Sequence, residues 1–248
     1  MSTPEHANRA GITGTDGSGR ALPPPFTPPL RSAAARRIVV PQKGSLRGAL
    51  VTRDDKPRIV SYESNIERRV LLVLLARPDV IEVREQVEAV DYVDEDGVER
   101  KHWFDFLVTR RDGEKILVAV KDSKWVGRHP EFERNLPLIA ARVPRTLADR
   151  VVLMTEVDAT RDRVYDARLI HSARADRRPE QDRSVRELVD SLVGTTTIGN
   201  LVAASKLEGR GFRAVVRLIA QGVLRTIGLG RISYETQVVL ASNEGDRP

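Results

Sequence analysis

Two apolar stretches joined by a tight turn limit most strongly what this chain can fold into. Residues 103–107 read Trp-Phe-Asp-Phe-Leu, and residues 116–121 read Ile-Leu-Val-Ala-Val-Lys. The Asp-Gly dipeptide between them is typical of β-hairpin turns, so the pattern predicts two paired strands. Because side chains alternate along a strand, Ala119 and Lys121 share one face of the second strand. If the face that carries Asp105 coincides with it, Asp105 and Lys121 meet.

The composition describes an ordinary soluble protein with room for one large or two small domains. The chain has 248 residues, of which 40% are hydrophobic and 31% charged. It has no apolar run of membrane-spanning length, and its first residues lack the pattern of a secretory signal. The absence of cysteine excludes disulfides, thiolate chemistry and Cys-ligated zinc. We therefore expect a cytoplasmic protein without a membrane partner.

The charge balance narrows the class of binding partner. The formal net charge is +6, which is compatible with a polyanionic partner such as nucleic acid. Aromatic residues make up only 4% of the chain, which argues against a platform that stacks the bases of single strands.

The first half of the chain predicts an α/β domain at residues 50–172. Ser64 to Ala76 has helical apolar spacing and begins with a capping box, in which the Glu67 carboxylate binds the Ser64 amide. A meander of antiparallel strands, a second helix and a buried strand follow, an order typical of an α/β sandwich. These later elements are predicted at residues 80–120, 130–148 and 151–154.

Polar segments bound and divide the predicted domains. Residues 1–49 are rich in Pro, Gly and Ser and carry basic residues near their end, which predicts a disordered tail. The highly charged stretch 173–183 contains a proline and is interpreted as a linker. Residues 241–248 are taken as a second tail.

Residues 184–240 predict a small winged-helix-like domain. Three helical segments precede a predicted hairpin with strands at 223–227 and 231–234, and this is the element order of a winged helix. In the third helix, Arg210, Arg213 and Arg217 are three and four residues apart and therefore share a face. That face either contacts DNA phosphates or is a solvated face of a domain that packs against protein.

The chemistry of a metal-dependent phosphodiesterase matches several residue types in the first domain. Such a site needs carboxylates to hold one or two divalent ions, which activate water and neutralise charge on the phosphate. A lysine beside them stabilises that charge or orients the water. Glu67, Asp105 and Lys121 are the right types of group for three of these parts.

The order and spacing of these residues resemble the PD-(D/E)xK nuclease superfamily. Within it, residues 55–240 are most similar to TnsA, the endonuclease subunit of heteromeric transposases. The resemblance implies a restriction-endonuclease-like mixed sheet flanked by helices. It also implies Mg²⁺- or Mn²⁺-dependent cleavage of one DNA strand at a transposon end, with a transposase and an ATPase regulator as partners. It would make Glu67 and Asp105 metal ligands and Lys121 the catalytic lysine.

The sequence departs from this family at one position. The second strand acid, two residues before the lysine, falls on Ala119. Alanine cannot coordinate a cation or orient water, which puts cleavage in doubt.

Several alternatives remain for the missing acid. Asp122 precedes Lys124 by two residues, but it takes the opposite strand face unless a bulge intervenes. Glu85, which starts a neighbouring strand, is the strongest substitute from elsewhere, ahead of Glu82 and Glu114. If no other acid replaces it, two explanations are left. Either Ala119 is an engineered inactivating change, or the chain is a pseudonuclease kept for DNA binding or assembly.

Two further interpretations stay open. A restriction-type or phage-borne nuclease would use the winged domain to read DNA directly. Among the four histidines none has metal-ligand spacing, and only His102, close to the Asp105 strand, merits a test as a functional group.

Overall fold

The structure is a computed structural model that describes residues 27–35, 46–52 and 56–241. The predicted tails therefore lie largely outside the described residues, at 1–26, 36–45 and 242–248. Where the first tail is described, it is ordered and the prediction is wrong. Leu30 forms a parallel bridge with Arg58, and Gly48–Val51 (β1) pairs antiparallel with Ile59–Tyr62 (β2). Backbone hydrogen bonding to the domain holds these segments in place.

The first helix, Asn65–Ala76 (α1), confirms the predicted element. The Ser64 side chain accepts a hydrogen bond from the Glu67 amide at 3.1 Å. The return bond differs from the predicted one, because the Glu67 carboxylate accepts from the amide of Glu63 at 2.7 Å and not from Ser64. Both bonds satisfy amides at the helix start that lack intrahelical partners.

A four-stranded mixed sheet forms the centre of the first domain, and a separate hairpin is inserted into it. The chain order of these strands is β3 (Val80–Glu85), β4 (Val90–Val93), β5 (Glu99–His102), β6 (Phe106–Arg110), β7 (Lys115–Val120) and β8 (Arg150–Met154). The sheet order is β3-β6-β7-β8, with β8 parallel to β7 and the other pairs antiparallel. The predicted continuous meander is wrong, since β4 and β5 pair with each other outside this sheet.

The two faces of the sheet pack against different helices. Phe106, Val118 and Val120 belong to the apolar cluster that also contains the buried residues of α1. Leu107 and Ala119 belong to a second cluster, which also contains residues of α3 (Pro130–Arg142) and of the β4–β5 hairpin; the short helix α2 (Ser123–Arg128) precedes α3. This split follows from strand alternation. We call the two sides the α1 face and the α3 face.

The predicted linker is largely helical. Helix α4 (Arg161–Ala175), which the sequence analysis missed, runs into it, and α5 (Pro179–Asp190) starts inside it. Helix α4 contacts both α1 and the last helix of the chain. Residues 176–178 alone separate α4 from α5. The contacts of α4 with α1 and α7 join the two halves of the protein. The boundaries of the two domains remain a prediction.

The last part of the chain combines helices with a three-stranded antiparallel sheet. Its elements are β9 (Thr195–Thr197), α6 (Ile198–Ser205), α7 (Gly209–Ala220), β10 (Leu224–Ile227) and β11 (Gln237–Leu240), and the sheet order is β10-β11-β9. The second strand of the predicted hairpin is wrong, because residues 237–240 pair with β10 while 231–234 form a loop. Gly222 ends α7 with φ +75°, and an added Cβ would lie 3.2 Å from Pro78.

Within the described ranges, none of the helices combines the length and apolar character needed to cross a bilayer.

Candidate active site

Asp105 lies at the start of β6, beside the end of β7. The pairing of Phe106 with Val118 sets this position. The Asp105 carboxylate accepts a hydrogen bond from the Val120 amide at 2.7 Å, and the Asp105 amide donates to the Val118 carbonyl at 3.0 Å. The half-buried Asp105 carboxylate is thus fixed against the residue that precedes Lys121.

Lys121 follows β7 and points its ammonium at aromatic rings. Its Nζ lies 5.7 Å from the ring centroid of Trp125 and 5.9 Å from that of Phe132. Trp125 belongs to α2 and Phe132 to α3, so Lys121 is on the α3 face, as alternation from Ala119 predicts. A cation over a ring face is attracted by the ring quadrupole.

Ala119 is the residue at which the resemblance predicts the second acid. It is 0% exposed and belongs to one apolar cluster with Phe104, Leu117 and Ile139. Phe104 directly precedes Asp105 in the chain and is likewise fully buried. A carboxylate at 119 would have to lose its hydration among these side chains, which is costly. The surroundings of Ala119 are therefore those of an apolar core residue.

Glu67 has a structural role in this fold. Its side chain is buried, and its carboxylate closes the hydrogen-bonded cap at the start of α1. The predicted role of Glu67 as a metal ligand remains a prediction.

Neither of the two main substitutes for the missing acid reaches the α3 face as a free ligand. Glu85 is 1% exposed and two residues beyond Val83, which places it on the α1 face. Its carboxylate accepts from the Ser61 amide at 3.3 Å and from the Ser32 hydroxyl. Asp122 is the N-cap of α2 and accepts from two amides of that helix, at 3.0 and 3.2 Å. The weaker candidates Glu82 and Glu114 are paired with arginines.

The side chains present do not fit a complete divalent-metal centre. Across residues 27–35, 46–52 and 56–241, no group of three or more His, Asp or Glu side chains is placed to hold a metal ion. Mg²⁺ coordination needs oxygen ligands, and Ala119 supplies none. Use of Mg²⁺ or Mn²⁺ therefore remains a prediction drawn from the resemblance.

His102, at the end of β5, lies in the aromatic surroundings of Lys121. Its ring meets Phe104 edge to face at 4.6 Å and Phe132 at 5.6 Å. Burial and the positive charge of Lys121 lower the pKa of His102 to about 4, so the imidazole is neutral at pH 7. Its Nε2 is shielded from solvent and has no hydrogen-bond partner in the part of the chain that the structure describes. Sequence analysis singled out His102 but missed Trp125 and Phe132, whose one signal was aromatic character just after Lys121.

The predicted arginine face of α7 is wrong as a solvent-facing surface. Arg217 is 3% exposed, with its guanidinium 2.6 Å from the Asp182 carboxylate. Arg213 donates to the Ser172 hydroxyl at 2.9 Å. Arg210 is exposed. The three arginines differ in exposure along the helix, and only Arg217 is enclosed against α5. Arg217 is therefore too buried for the predicted contact with DNA.

Residues 77–144 match the family model for the TnsA-like endonuclease N-terminal domain. The match confirms the resemblance inferred from the motifs, and a mixed α/β fold is consistent with a nuclease-type domain. The matched segment runs from the end of α1 through α3 and contains Asp105, Ala119 and Lys121, whereas Glu67 precedes it. A domain of this kind implies DNA and transposition proteins as the general class of partner. No curated protein matches the chain.

Proposed function

We propose that this protein is a TnsA-like, nuclease-fold subunit of a DNA transposition complex that binds DNA but does not cut it unaided. The observation that carries the proposal is Ala119, fully buried among apolar side chains at the position of the second acid. Family resemblance supports the assignment to transposition. The expected partners are a transposase and an ATPase regulator.

We also propose that residues 179–240 form a winged-helix-like unit that serves assembly with protein partners. The order α5, β9, α6, α7, β10, β11 with a β10-β11-β9 sheet supports this. Arg217 of α7 is paired inside the protein, and the partly exposed Arg213 donates to the Ser172 hydroxyl. In the helix that would read a major groove in a winged-helix protein, Arg217 is therefore not available for DNA contact.

Nicking of supercoiled plasmid with Mg²⁺ or Mn²⁺ tests the catalytic part of the proposal. We expect no nicking by the protein above the level of an Asp105→Ala variant, together with retarded migration of DNA in EDTA. The Ala119→Glu variant tests whether one restored acid is enough for nicking. Its unfolding midpoint shows whether the variant folds. Nicking by the unaltered protein that disappears in Asp105→Ala would overturn the proposal.

A second candidate function, metal-dependent cleavage of one DNA strand, is favoured by the retained pair Asp105 and Lys121. The two residues lie at neighbouring strand ends, as that chemistry requires. The same plasmid assay decides between the two functions.

A further inference from the structure

We propose that the outward face of the β4–β5 hairpin is a docking surface for a segment of a partner protein that carries basic and apolar side chains. The hairpin is a two-stranded sheet of its own, inserted between β3 and β6 and outside the four-stranded sheet. The inference rests on the proposed function, because a subunit of a transposition complex needs surfaces that meet its protein partners. It names one such surface and the chemistry of what binds there.

Strand alternation divides the hairpin into an inward and an outward face. Val90 and His102 pair across the two strands and face the apolar interior on the α3 side of the sheet. The side chains between this pair and the turn alternate with it in direction. The outward face is therefore formed by two cross-strand pairs of exposed residues, Asp91 with Lys101 and Val93 with Glu99.

Trp103 extends this outward face by one further step of alternation beyond Lys101. Its side chain is 49% exposed, and no hydrogen bond or ring contact engages its indole within the part of the chain that the structure describes. Val93 and Val98 add exposed apolar surface near the hairpin turn. Four strand residues, about 14 Å, separate Trp103 from Glu99, the cross-strand partner of Val93. The face thus has an apolar anchor at each end, and tryptophan is enriched among the residues that dominate the energetics of protein interfaces.

The charge of the hairpin decides what kind of partner fits. Residues 88–102 contain six acidic and two basic residues, whereas the whole chain has a net charge of +6. Two cations of α3 approach the hairpin, Arg134 by an ion pair with Glu95 and Arg142 along an open groove, and the charge stays net negative when both are included. The exposed Glu88 and Glu99 form no salt bridge in the described ranges. This surface therefore repels the phosphates of DNA and attracts lysine and arginine side chains.

The docking surface adjoins the candidate active site. Trp103 is two residues from Asp105, a span of at most about 7 Å along the chain. A partner segment bound across Trp103 would therefore lie beside Asp105.

Fluorescence anisotropy with a labelled nine-residue peptide of alternating leucine and arginine tests this surface. A peptide of alternating leucine and glutamate is the charge control and should bind at least about 10-fold more weakly. Trp103→Ala should weaken binding of the arginine peptide about 10-fold, and Glu99→Lys should weaken it about 5-fold. The matched controls are Leu229→Ala, an exposed apolar residue, and Glu187→Lys, an exposed acid of α5. Both controls should bind the arginine peptide within about 2-fold of wild type.

Three results would show that the docking surface is wrong. In the first, the arginine peptide binds no more tightly than the glutamate peptide, or Trp103→Ala binds it as well as Leu229→Ala does. In the second, Trp103→Ala loses affinity for duplex DNA and keeps its affinity for the peptide, which assigns the surface to nucleic acid. In the third, sedimentation shows self-association that Trp103→Ala abolishes, which assigns the surface to a second copy of this chain.

Retarded migration of DNA in EDTA tests the proposed function separately. If the wild type retards DNA while the peptide results fail, the docking surface alone is wrong. If the wild type binds no DNA, the proposed function fails. Unfolding midpoints of the four variants show that each comparison is between folded proteins.

Discussion

Two basic residues with predicted roles on DNA, the predicted catalytic Lys121 at the end of β7 and the predicted DNA-binding Arg217 on α7, have opposite surroundings. At the end of β7, Lys121 faces aromatic rings. On α7, Arg217 is enclosed with the Asp182 carboxylate and also donates to the Asp176 carbonyl at 3.0 Å. The Lys121 cation lies against aromatic rings, whereas the Arg217 cation is paired with a carboxylate inside the protein.

This difference shows what basic residues at regular spacing indicate. Spacing establishes that side chains share a face of a helix, but it does not establish which way that face points. The informative property is whether a carboxylate or carbonyl already satisfies each cation. By that measure Lys121 is a candidate for nucleic-acid contact, whereas Arg217 stabilises the contact between α7 and α5.

The largest effect should come from Arg217→Met. Removing a buried cation leaves the Asp182 carboxylate without its partner, which should lower the free energy of unfolding by about 3 kcal/mol. Chemical denaturation measures the loss. The folded fraction should bind duplex with the wild-type salt slope, and a reduced slope would contradict the assignment of Arg217 to the interior.

Acid should destabilise the protein through His102. Its folded-state pKa of about 4 lies below the ordinary 6.5, so the unfolded chain binds this proton more tightly. Stability from this group is complete above about pH 6.5 and is lost as the pH falls toward 4, by up to about 3 kcal/mol. His102→Phe should flatten this part of the pH profile of unfolding. If His102→Phe loses as much free energy of unfolding between pH 7 and pH 4.5 as the wild type does, the assignment of a lowered pKa to His102 is wrong.

Arg174→Met should have an intermediate effect. The Arg174 guanidinium donates to the carbonyls of Leu75, Ala76 and Ala220, at 2.6, 3.1 and 2.9 Å. These carbonyls lie at the ends of α1 and α7, where backbone acceptors lack helical partners. Losing the three hydrogen bonds should therefore lower the free energy of unfolding by about 2 kcal/mol. Arg168→Met, exposed on the same helix, is the control and should change the unfolding midpoint little.

The smallest effect should follow Arg210→Ala, the exposed member of the predicted arginine face. Surface substitutions of this kind change stability by less than about 0.5 kcal/mol. We expect little loss of duplex affinity, measured by fluorescence anisotropy of a labelled duplex titrated with salt. A large loss of duplex affinity in Arg210→Ala would show that α7 contacts DNA.

Local signals predicted the elements that depend on neighbouring residues. The Ser64 cap and the apolar spacing of α1 are contained in about twelve consecutive residues. The β6–β7 hairpin is likewise set by its turn and alternation. The positions of Asp105 and Lys121 at adjoining strand ends follow from that hairpin alone.

Elements that depend on distant packing were missed. In α4 the buried positions include the small residues Ala167 and Ala173 among many charges, so its apolar period is faint. The Thr160 cap was an available signal. Strand partners are not encoded locally, which is why β4 and β5 were wrongly placed in a continuous meander. The two rings against Lys121 come from α2 and α3, and their convergence depends on how these helices pack on the sheet.

The hydrogen bonds of Arg174 join the ends of two helices. One side chain grips the last carbonyls of α1 and α7, so the two helices cannot slide apart without breaking its hydrogen bonds. The segment that leads from α7 into β10 is therefore tied, through one side chain, to the end of the helix that bears Glu67.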